Sequence, residues 1–303
     1  MTKVLITVVG PTAIGKTALS IQLAQHFKTE IVSADSRQFF KEMKIGTAVP
    51  SEDELTAAPH HFIQHISIDH NYSVGHYERE ALEKLDELFT AYKHLVLVGG
   101  SGLYVDAVID GLDYFPEVKE GTREKLQELQ KTEGDIALQN MLKELDPSYF
   151  TEVDINNIQR VMRALEVCLS SGNTFSSYRN KPKSVRNFKH IKIGLTADRS
   201  IIYNRINQRV DMMMEGGLLE EVRGLLSRKH LNALQTVGYR ELCEYLENKV
   251  TLEKAVENIK TNTRRFAKRQ LTWYRKDSNI YWFDYQTPLD QIITCITKNA
   301  PLE

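Results

Sequence analysis

Apolar positions recur along the chain with two different periods. In the first third, short apolar runs typical of buried strands alternate with stretches whose apolar residues recur every three or four positions, as in helices. The predicted elements are a strand at Val4–Val9, a helix at Lys16–Phe27, a strand at Glu30–Ser33, a helix at Val74–Tyr92 and a strand at His94–Val98. This alternation predicts parallel βαβ units with helices covering a sheet.

The strand pattern stops in the middle of the chain and returns near its last third. Helical patterns occupy Thr122–Lys131, Asp135–Leu145 and Ile155–Leu169. After them come a strand at His190–Leu195, helices at Asp198–Met214, Gly217–Arg228 and Thr251–Lys276, and a last strand at Ile280–Phe283. We therefore predict an α/β fold with a discontinuous core over residues 1–112 and 188–303 and a helical insertion over residues 113–187. The most linker-like stretch is Lys181–Ser184.

The composition is that of a folded globular protein. Of 303 residues, 42% are hydrophobic and 26% charged, which excludes collagen-like and largely disordered chains. The three cysteines are far apart in the sequence, so they suggest neither a disulfide framework nor a zinc site. No apolar run approaches the ~20 residues that a membrane helix needs. We expect a cytoplasmic protein without a membrane segment.

A phosphate-binding motif follows the first predicted strand. Gly10–Thr17 fits G-x-x-x-x-G-K-[ST] and opens a predicted helix. In such a loop, backbone N–H groups and the helix N-terminus face an anion, Lys16 adds a positive charge, and the Thr17 hydroxyl can ligate Mg²⁺. The motif predicts phosphate binding and leaves open which phosphates are bound.

Two further loops follow predicted strands. His94–Val98 runs into Gly99–Gly102, without the carboxylate that holds the metal of a P-loop nucleotidase, and this weakens the ATPase and kinase interpretations. The glycines indicate either a close approach of the backbone to a ligand or a tight turn packed under a helix. Asp35 follows the second strand, where it would act as a general base, a metal ligand or merely a turn residue. The neighbouring Arg37 and Gln38 favour a functional role.

Seven segments stand in a characteristic order along nearly the whole chain. They are Gly10–Ser20 (GPTAIGKTALS), Ala34–Gln38 (ADSRQ), Ile45–Ala48 (IGTA), Ala58–His61 (APHH), Gly99–Tyr104 (GGSGLY), Asn157–Val167 (NIQRVMRALEV) and Val237–Glu241 (VGYRE). Together they resemble the tRNA dimethylallyltransferase family of the bacterial type. The resemblance implies transfer of a dimethylallyl group from dimethylallyl diphosphate to the exocyclic N6 of the adenosine immediately 3′ of the anticodon. It also implies a P-loop NTPase-like parallel sheet core with an inserted all-helical domain that binds the tRNA anticodon stem-loop.

The resemblance also implies roles for individual residues. The catalytic residues would be Asp35 as general base, Lys16, and Thr17 as the Mg²⁺ ligand. The diphosphate would be bound by Gly10, Pro11, Thr12, Ala13, Ile14, Gly15, Lys16, Thr17, Arg205 and Arg209. The residues expected to contact tRNA are Asp35, Ser36, Arg37, Gln38, Ser101, Arg123, Gln159, Arg160, Val161, Met162, Arg163, Gln235, Thr236, Val237, Gly238, Tyr239 and Arg240. We expect a monomer, because RNA would surround much of the working surface.

The charge distribution supports an RNA partner independently. A net charge of −1 combines −5 over residues 1–112, −1 over 113–187 and +5 over 188–303. Two basic stripes stand out, namely Arg160, Arg163, Arg179, Lys181, Lys183, Arg186, Lys189 and Lys192, and then Lys260, Arg264, Arg265, Lys268, Arg269, Arg275 and Lys276. Both predict RNA contact, whereas Phe266, Trp273 and Tyr274 within the second stripe are interpreted as core residues.

Other features favour structural interpretations, and two other functions stay open. Adjacent His60 and His61 lack a third ligand at metal-binding spacing, and Met212–Met214 are expected to fill a core or line an isoprenoid pocket. A small-molecule kinase using Asp35 would turn over ATP without RNA. A non-catalytic RNA-binding module would bind tRNA regardless of dimethylallyl diphosphate.

Overall fold

Six parallel strands form one sheet. In the computed structural model, which describes residues 2–180 and 185–300, the strands are β1 (Val4–Val9), β2 (Ile31–Ser33), β3 (His60–His61), β4 (His94–Val98), β5 (Lys189–Thr196) and β6 (Ile280–Asp284). Their order across the sheet is β3-β2-β4-β1-β5-β6, and every pairing is parallel. The α/β class predicted from the alternating pattern is confirmed.

Thirteen α-helices lie within the described residues. They are α1 (Lys16–Phe27), α2 (Glu52–Ala57), α3 (Val74–Leu88), α4 (Gly102–Ile109), α5 (Thr122–Glu133), α6 (Asp135–Leu145), α7 (Pro147–Glu152), α8 (Ile158–Ser171), α9 (Arg199–Glu215), α10 (Leu218–Leu225), α11 (Tyr239–Leu246), α12 (Leu252–Tyr274) and α13 (Leu289–Asn299). Short 3₁₀ turns occupy Ser176–Tyr178, Leu226–Arg228 and Asn232–Leu234. None of these helices is both long enough and apolar enough to cross a bilayer.

The chain divides into two units. The first comprises Met1–Asp110 and Arg186–Glu303 and contains the sheet, and the second comprises Gly111–Val185 and is helical. The linker-like Lys181–Ser184 stretch, with Lys181 and Lys183 of the first basic stripe, lies outside the described residues.

Both faces of the sheet are covered by helices. On β1, which is buried along its whole length, Ile6 and Val8 pack with residues of α1, α9, α12 and α13. Leu5 and Val9 point to the opposite face and pack with α3 and α4. Alternate side chains of a strand face opposite sides, so a strand buried on both sides reads as a continuous apolar run. This explains why Val4–Val9 carries no polar side chain except Thr7.

A third apolar cluster lies beside the sheet. It joins α10, α11 and the first half of α12 through buried residues that include Leu218, Leu242 and Ile259, and it also takes in Met43 from the loop after β2. The cluster positions the loop and helices that border the cavity described below.

The second unit is a small helical bundle of α5–α8. Its core contains Leu126, Leu138, Leu142 and Leu165, with Phe115 stacked on Phe175 at a ring distance of 4.6 Å. The apolar face of α8 packs into this core and includes Val161 and Met162, which are 0% and 1% exposed. These two side chains were expected to contact tRNA, but they fill the bundle core because of their position on the helix.

Candidate functional site

The phosphate loop adopts a backbone that needs its glycines. Gly10 and Gly15 have φ angles of 144° and 112°, which L side chains rarely adopt. A Cβ on Gly10 would also lie 2.6 Å from the carbonyl oxygen of Leu195 in β5. The buried Ala13 and Ile14 side chains face the core, so only the backbone of these two residues is available to an anion. Pro11 is buried too, at the turn of the loop.

Lys16 folds back over the loop. Its Nζ donates to the carbonyl oxygens of Gly10 and Pro11 at 3.1 and 2.9 Å. The pKa of Lys16 is lowered to about 8, mainly by desolvation, with Asp35 opposing the shift and Arg209 contributing to it. A desolvated ammonium held by two carbonyls is suited to bind an incoming anion, because the negative charge of the anion would stabilise the charged form of Lys16.

Two arginines of α9 lie against the same loop. Arg205 donates from Nε to the carbonyl oxygen of Ala13 at 2.7 Å, and Arg209 donates from Nη1 to the Thr12 hydroxyl at 3.4 Å. Burial lowers the pKa of Arg209, which nevertheless stays charged at neutral pH. Four-residue spacing therefore brings both side chains to the phosphate loop, although their sequence separation from it is almost 200 residues.

The turn after β4 is glycine-rich because neighbouring chain segments occupy the space of side chains. A Cβ on Gly99 would lie 2.7 Å from the Ala34 carbonyl oxygen, and one on Gly100 would lie 2.4 Å from Nε2 of Gln270. Gln270 is buried and bridges two loops, since its Oε1 accepts from the Thr12 N–H at 2.8 Å and its Nε2 donates to the Gly100 carbonyl at 2.8 Å. Gln270 was not predicted from the sequence.

Asp35 lies at the carboxyl end of β2. Its Oδ1 accepts from the Arg37 backbone N–H at 3.1 Å, which fixes the loop after the strand. The next residue, Ser36, shares a 3.0 Å hydroxyl contact with Ser101 of the glycine-rich turn. The predicted site residues Asp35, Ser36 and Ser101 thus lie together at the same edge of the sheet, as the carboxyl ends of β2 and β4 require.

Arg37 and Gln38 are engaged within the protein. Arg37 donates from Nη1 to the Ala233 carbonyl at 3.2 Å, and burial lowers its pKa. Gln38 donates from Nε2 to the carbonyls of Thr47 and Ala48 at 3.2 and 2.8 Å. In this structure both side chains organise the surrounding loops, and their contact with tRNA stays a prediction.

One cavity of about 500 Å³ connects these groups. Its polar lining includes Thr12, Asp35, Ser101 and Arg209, and its apolar lining includes Val210, Met213, Leu218 and Ile259. Aromatic and cationic residues of α12 complete the wall, namely Phe266, Arg269 and Trp273. The volume is that of an ordinary small-molecule site. The cavity combines an anion-binding loop, a carboxylate and an aliphatic surface.

The loop Ile45–Ala48 borders the cavity and is held by a single carboxylate. Glu221 of α10 accepts from the backbone N–H groups of Lys44, Ile45 and Gly46 at 3.0, 2.7 and 3.0 Å. It also accepts from the Tyr239 hydroxyl at 2.5 Å. Glu221 was not identified from the sequence, where it is one of many glutamates.

Replacing Glu221 by glutamine is expected to lower the free energy of unfolding by about 1–3 kcal/mol, because one carboxylate oxygen becomes a donor that faces other donors. Urea unfolding would measure the change. The exposed neighbour Glu220, which pairs with Arg223, provides the control, and Glu220→Gln should leave stability within about 0.5 kcal/mol of the wild type. Equal stability of the two variants would contradict this assignment.

The third predicted tRNA stretch has a mixed arrangement. Gln235, Thr236, Val237, Gly238 and Arg240 line the cavity. Tyr239 is 0% exposed and packs its ring against Gly46, where a Cβ would lie 2.5 Å from the ring. Its side chain therefore has a structural role and cannot reach RNA.

In the second unit, the predicted tRNA residues surround a buried carboxylate. Glu166 is 3% exposed and pairs with Nη1 of Arg123 at 2.7 Å and Nη1 of Arg163 at 3.3 Å. Arg123 also donates to Oε1 of Gln159 at 3.3 Å. Arg160 is exposed on the same helix. Since Glu166 fixes both arginines while about half of each side chain stays exposed, the bundle presents an ordered cationic face.

Several residues of the basic stripes are neutralised by acidic partners. Arg186 pairs with Glu78 at 2.7 Å, Lys192 with Asp277 at 2.8 Å, and Lys260 with Asp211 at 2.6 Å. Arg179 with Glu152 and Arg264 with Glu257 form further pairs. Arg265, Lys268, Arg269, Arg275 and Lys276 are exposed on or just after α12. The cationic surface is therefore smaller than the sequence count suggests.

The interpretation of the α12 aromatics as core was wrong for two of the three. Tyr274 is buried at 3% exposure, but Phe266 and Trp273 are 37% and 41% exposed. Both lie on the helix face that lines the cavity, next to Gln270. The sequence could not distinguish the two roles, because aromatic residues that face a core and those that line a binding site recur with the same helical spacing.

The two histidines point to different partners. His60 Nδ1 lies 2.7 Å from the Ala58 carbonyl, and His61 Nε2 lies 2.6 Å from Oε2 of Glu30. Among the methionines, Met212 is 62% exposed, whereas Met213 lines the cavity. Met213 is thus the one methionine of Met212–Met214 whose position matches the expected pocket-lining role.

Comparison with known proteins gives consistent matches over the whole chain. The family model described as IPP transferase matches residues 38–277. A tRNA dimethylallyltransferase of Flavobacterium johnsoniae is 57% identical over 303 residues, covering 98% of each chain. A protein of the same name from Christiangramia forsetii is 58% identical over 285 residues, covering 94% of each.

Solved structures agree with this. The full-length tRNA isopentenylpyrophosphate transferase of Bacillus halodurans superposes with a TM-score of 0.72 at 36% identity, covering 98% of this chain and 95% of that one. A eukaryotic dimethylallyltransferase described as acting on tRNA gives a TM-score of 0.80 at 29% identity, covering 99% of this chain and 78% of that one.

Proposed function

The chain belongs to the IPP transferase family, and on that premise we propose that it transfers a dimethylallyl group from dimethylallyl diphosphate to tRNA. The acceptor is the exocyclic N6 of the adenosine immediately 3′ of the anticodon. The observation that carries the proposal is the single cavity lined by the phosphate-loop residue Thr12, the carboxylate of Asp35 and aliphatic side chains such as Val210.

Electrostatics of the phosphate loop support diphosphate as the bound anion and leaving group. The loop after Thr12 offers the backbone N–H groups of residues 13–17 at the start of α1, where the helix dipole favours negative charge. Lys16, Arg205 and Arg209 add three cations. As the bond between carbon 1 and the diphosphate oxygen breaks, negative charge develops on the leaving group, and these groups stabilise it.

Magnesium fits the same place through Thr17, whose hydroxyl lies in the first turn of α1. Residues 2–180 and 185–300 contain no cluster of three or more His, Cys, Asp or Glu side chains able to hold a metal ion. A single protein donor such as the Thr17 hydroxyl suits Mg²⁺, because this ion commonly keeps several waters and is held by one or two protein oxygens plus phosphate oxygens. When bound, Mg²⁺ supplies further neutralisation of the diphosphate charge.

Asp35 is the base that we assign to the acceptor. The N6 amine of adenine is a weak nucleophile, so attack on carbon 1 must be accompanied by loss of an N6 proton. Asp35 lies in the cavity with one oxygen engaged by the Arg37 N–H, and its carboxylate takes up that proton. The products are the N6-dimethylallyl adenosine and diphosphate, and charge balances because the proton leaves with the base.

Supporting tRNA as the acceptor is the cationic face of the second unit, built on Arg123, Arg160 and Arg163. Loop bases of an anticodon arm are unpaired, so extruding one adenine into the cavity costs less than it would from a duplex. Phosphate contacts of such arginines position the RNA and make its binding salt-dependent.

The affinity for tRNA is expected to fall steeply with salt, and Arg160→Gln should reduce the slope of log K against log salt by about one. Fluorescence anisotropy of labelled tRNA over a range of KCl concentrations would measure both. Lys131, an 80%-exposed residue of α5 that interacts weakly with Glu128, provides the control, and Lys131→Gln should leave the slope unchanged. A flat plot for the wild type would contradict RNA binding through these charges.

The KM for dimethylallyl diphosphate is expected to rise as the pH increases through about 8, the lowered pKa of Lys16. Above this pH the free enzyme loses the ammonium that the diphosphate needs, with KM rising up to about tenfold per pH unit. Lys16→Arg stays charged and should show no such rise, whatever its absolute activity. A wild-type KM that is constant to about pH 9.5 would refute the role of the Lys16 charge.

The direct test of the function is transfer of radiolabel from dimethylallyl diphosphate to tRNA that lacks the modification, with Mg²⁺ present. We expect one label per acceptor tRNA. No incorporation by protein that binds tRNA normally would contradict the proposal. ATP consumption without RNA would instead support the kinase alternative.

A further inference from the structure

Trp273 is an exposed aromatic side chain in the wall of the cavity. It is 41% exposed, although its neighbour Tyr274 is buried at 3%. Trp273 lines the same cavity as Asp35, together with Gly102 and Leu103 of α4. A large apolar ring left open in a binding cavity indicates a partner surface that covers it.

The orientation of the ring is fixed from its edge. The indole N–H donates to Oδ2 of Asp106 at 2.8 Å. Gly102 lies against the same edge, where a Cβ would approach Cδ1 and Nε1 to 2.4 Å. Because the polar atom of the indole is satisfied and its edge is packed, the exposed part of the side chain is available for stacking without further ordering.

A buried lysine holds the residue that anchors Trp273. Lys192 is 7% exposed, and its Nζ lies 2.8 Å from Oδ2 of Asp277 and 3.9 Å from Oδ1 of Asp106. Asp106 therefore faces a cation on one side and the indole N–H on the other. This arrangement keeps the Asp106 acceptor in place for Trp273.

The position of Trp273 along α12 separates it from the aliphatic part of the cavity. Ile259, which belongs to the aliphatic lining, precedes Trp273 by fourteen residues, or roughly 21 Å along the helix. Gln270, which bonds the phosphate-loop N–H of Thr12, is only one turn from Trp273. The indole is thus at the end of the cavity away from Ile259, and this position suits a flat base with polar edges better than the dimethylallyl group.

We propose that the exposed indole face of Trp273 stacks on the acceptor adenine and holds its N6 toward Asp35. This inference rests on the proposed function and adds a specificity-determining residue to it. Stacking on an aromatic ring stabilises the extruded base and restricts its tilt. A restricted tilt is needed because proton transfer from N6 to Asp35 requires a fixed orientation of the two groups. The Phe266 ring, with Arg269 above it at 5.6 Å, provides a second flat surface in the same wall.

Tryptophan fluorescence offers a direct test, since the chain contains only two tryptophans. Trp282 lies in β6 and packs against Gly194, and it does not line the cavity. In Trp282→Phe, Trp273 is the sole tryptophan, and an anticodon stem-loop RNA should quench its fluorescence. The same RNA with an abasic site in place of the acceptor adenosine should bind, by anisotropy of a terminal label, without quenching.

The reciprocal variant is the control. In Trp273→Phe the remaining Trp282 should not respond to RNA. If the abasic RNA quenches Trp273 as strongly as the intact RNA, the proposal is overturned in favour of contact with another base. If dimethylallyl diphosphate alone quenches Trp273, it is overturned in favour of contact with the dimethylallyl group. Absence of any quenching by bound, intact RNA would overturn it as well.

Kinetics give an independent readout. Trp273→Leu removes the aromatic face and should raise the KM for RNA or lower the rate by about tenfold or more, whereas Trp273→Phe should stay within about threefold of wild type. Equal loss in both variants would contradict stacking. Failure of the proposed function can be distinguished from failure of the stacking proposal. If only the proposed function fails, RNA still quenches Trp273 but the wild-type protein transfers no label. If a variant fails to fold, 2-aminopurine at the acceptor position reports stacking in the wild-type protein.

Discussion

Replacing Lys16 by methionine is expected to lower the single-turnover rate of dimethylallyl transfer by about 10²–10³-fold, the largest effect of any single change at the diphosphate end. Lys16 lies over the loop with Nζ bound to two carbonyl oxygens, and desolvation lowers its pKa to about 8. Methionine retains much of the length and removes the charge. Since the charge on diphosphate grows as its bond to carbon breaks, the rate should suffer more than substrate binding.

Single-turnover measurements at saturating dimethylallyl diphosphate and tRNA separate rate from binding. The control is Lys93→Met, which removes an exposed lysine before β4, at the opposite end of that strand from the cavity. The control should transfer at the wild-type rate. A Lys16→Met rate within threefold of wild type would show that the loop holds the diphosphate without this charge.

Replacing Asp35 by asparagine is expected to lower the chemical rate by about 10²–10⁴-fold while leaving tRNA affinity unchanged. In the wild type, Oδ1 of Asp35 accepts from the Arg37 N–H at 3.1 Å. Asparagine keeps an oxygen that can accept this hydrogen bond, so the loop after β2 should keep its shape. What disappears is the capacity to accept the N6 proton. The loss therefore reports chemistry and not loop geometry.

Rapid-quench measurement of transfer and an anisotropy titration with tRNA test this pair of expectations. Asp53→Asn, at an exposed position in the first turn of α2, controls for removal of a carboxylate from the same unit. An Asp35→Asn variant with the wild-type single-turnover rate would remove Asp35 from the base role. A parallel loss of tRNA affinity would instead assign it to RNA binding.

Two strands of the sheet and the first helix could be predicted to the residue, and the predicted limits of β2, β5 and β6 differ from the observed ones by one residue at one or both ends. The predicted limits of Val4–Val9, Lys16–Phe27 and His94–Val98 match β1, α1 and β4. Doubly covered strands read as uninterrupted apolar runs, and the phosphate motif marks the junction of strand and helix. Both signals are local in the sequence.

Elements without a strong local signal were missed. Helix α4 begins at Gly102, within a glycine-rich turn, and β3 consists of His60–His61 alone. Helices α2, α7, α11 and α13 are short or begin near turn residues, and none was predicted. Their formation depends on packing against other elements, as for Leu242 of α11 in the third cluster and Tyr149 of α7 in the bundle core.

The candidate site was predictable where a motif or a helical spacing marks it. Arg205 and Arg209 lie at the phosphate loop, as the family resemblance implied, and their four-residue spacing puts both on one face of α9. Gln270 and Glu221 could not be found in this way, because their partners are distant in the sequence and ordinary in type. The glycines at 99, 100 and 102 carried an indirect signal, since each leaves room for another residue.

Within the stretches expected to contact tRNA, the position along the helix decides which side chains are buried. Val161, Met162 and Tyr239 fall within predicted tRNA-binding segments, yet each is buried at 1% exposure or less. On a helix, neighbouring residues point to different sides, so a contiguous stretch always contains core positions. In the basic stripes, the sequence does not reveal which cations are paired, because acidic partners such as Glu78 and Asp277 lie outside the stripe or far along the chain.

The most direct test of the central claim is the identity of the nucleoside that receives the label. Purified protein, Mg²⁺, labelled dimethylallyl diphosphate and unmodified tRNA would be incubated, and the tRNA digested to nucleosides for chromatography and mass spectrometry. We predict that the label is recovered as N6-dimethylallyl adenosine, and that a tRNA with guanosine at the position 3′ of the anticodon receives none. Label on any other nucleoside, or equal labelling of the guanosine-substituted tRNA, would contradict the account.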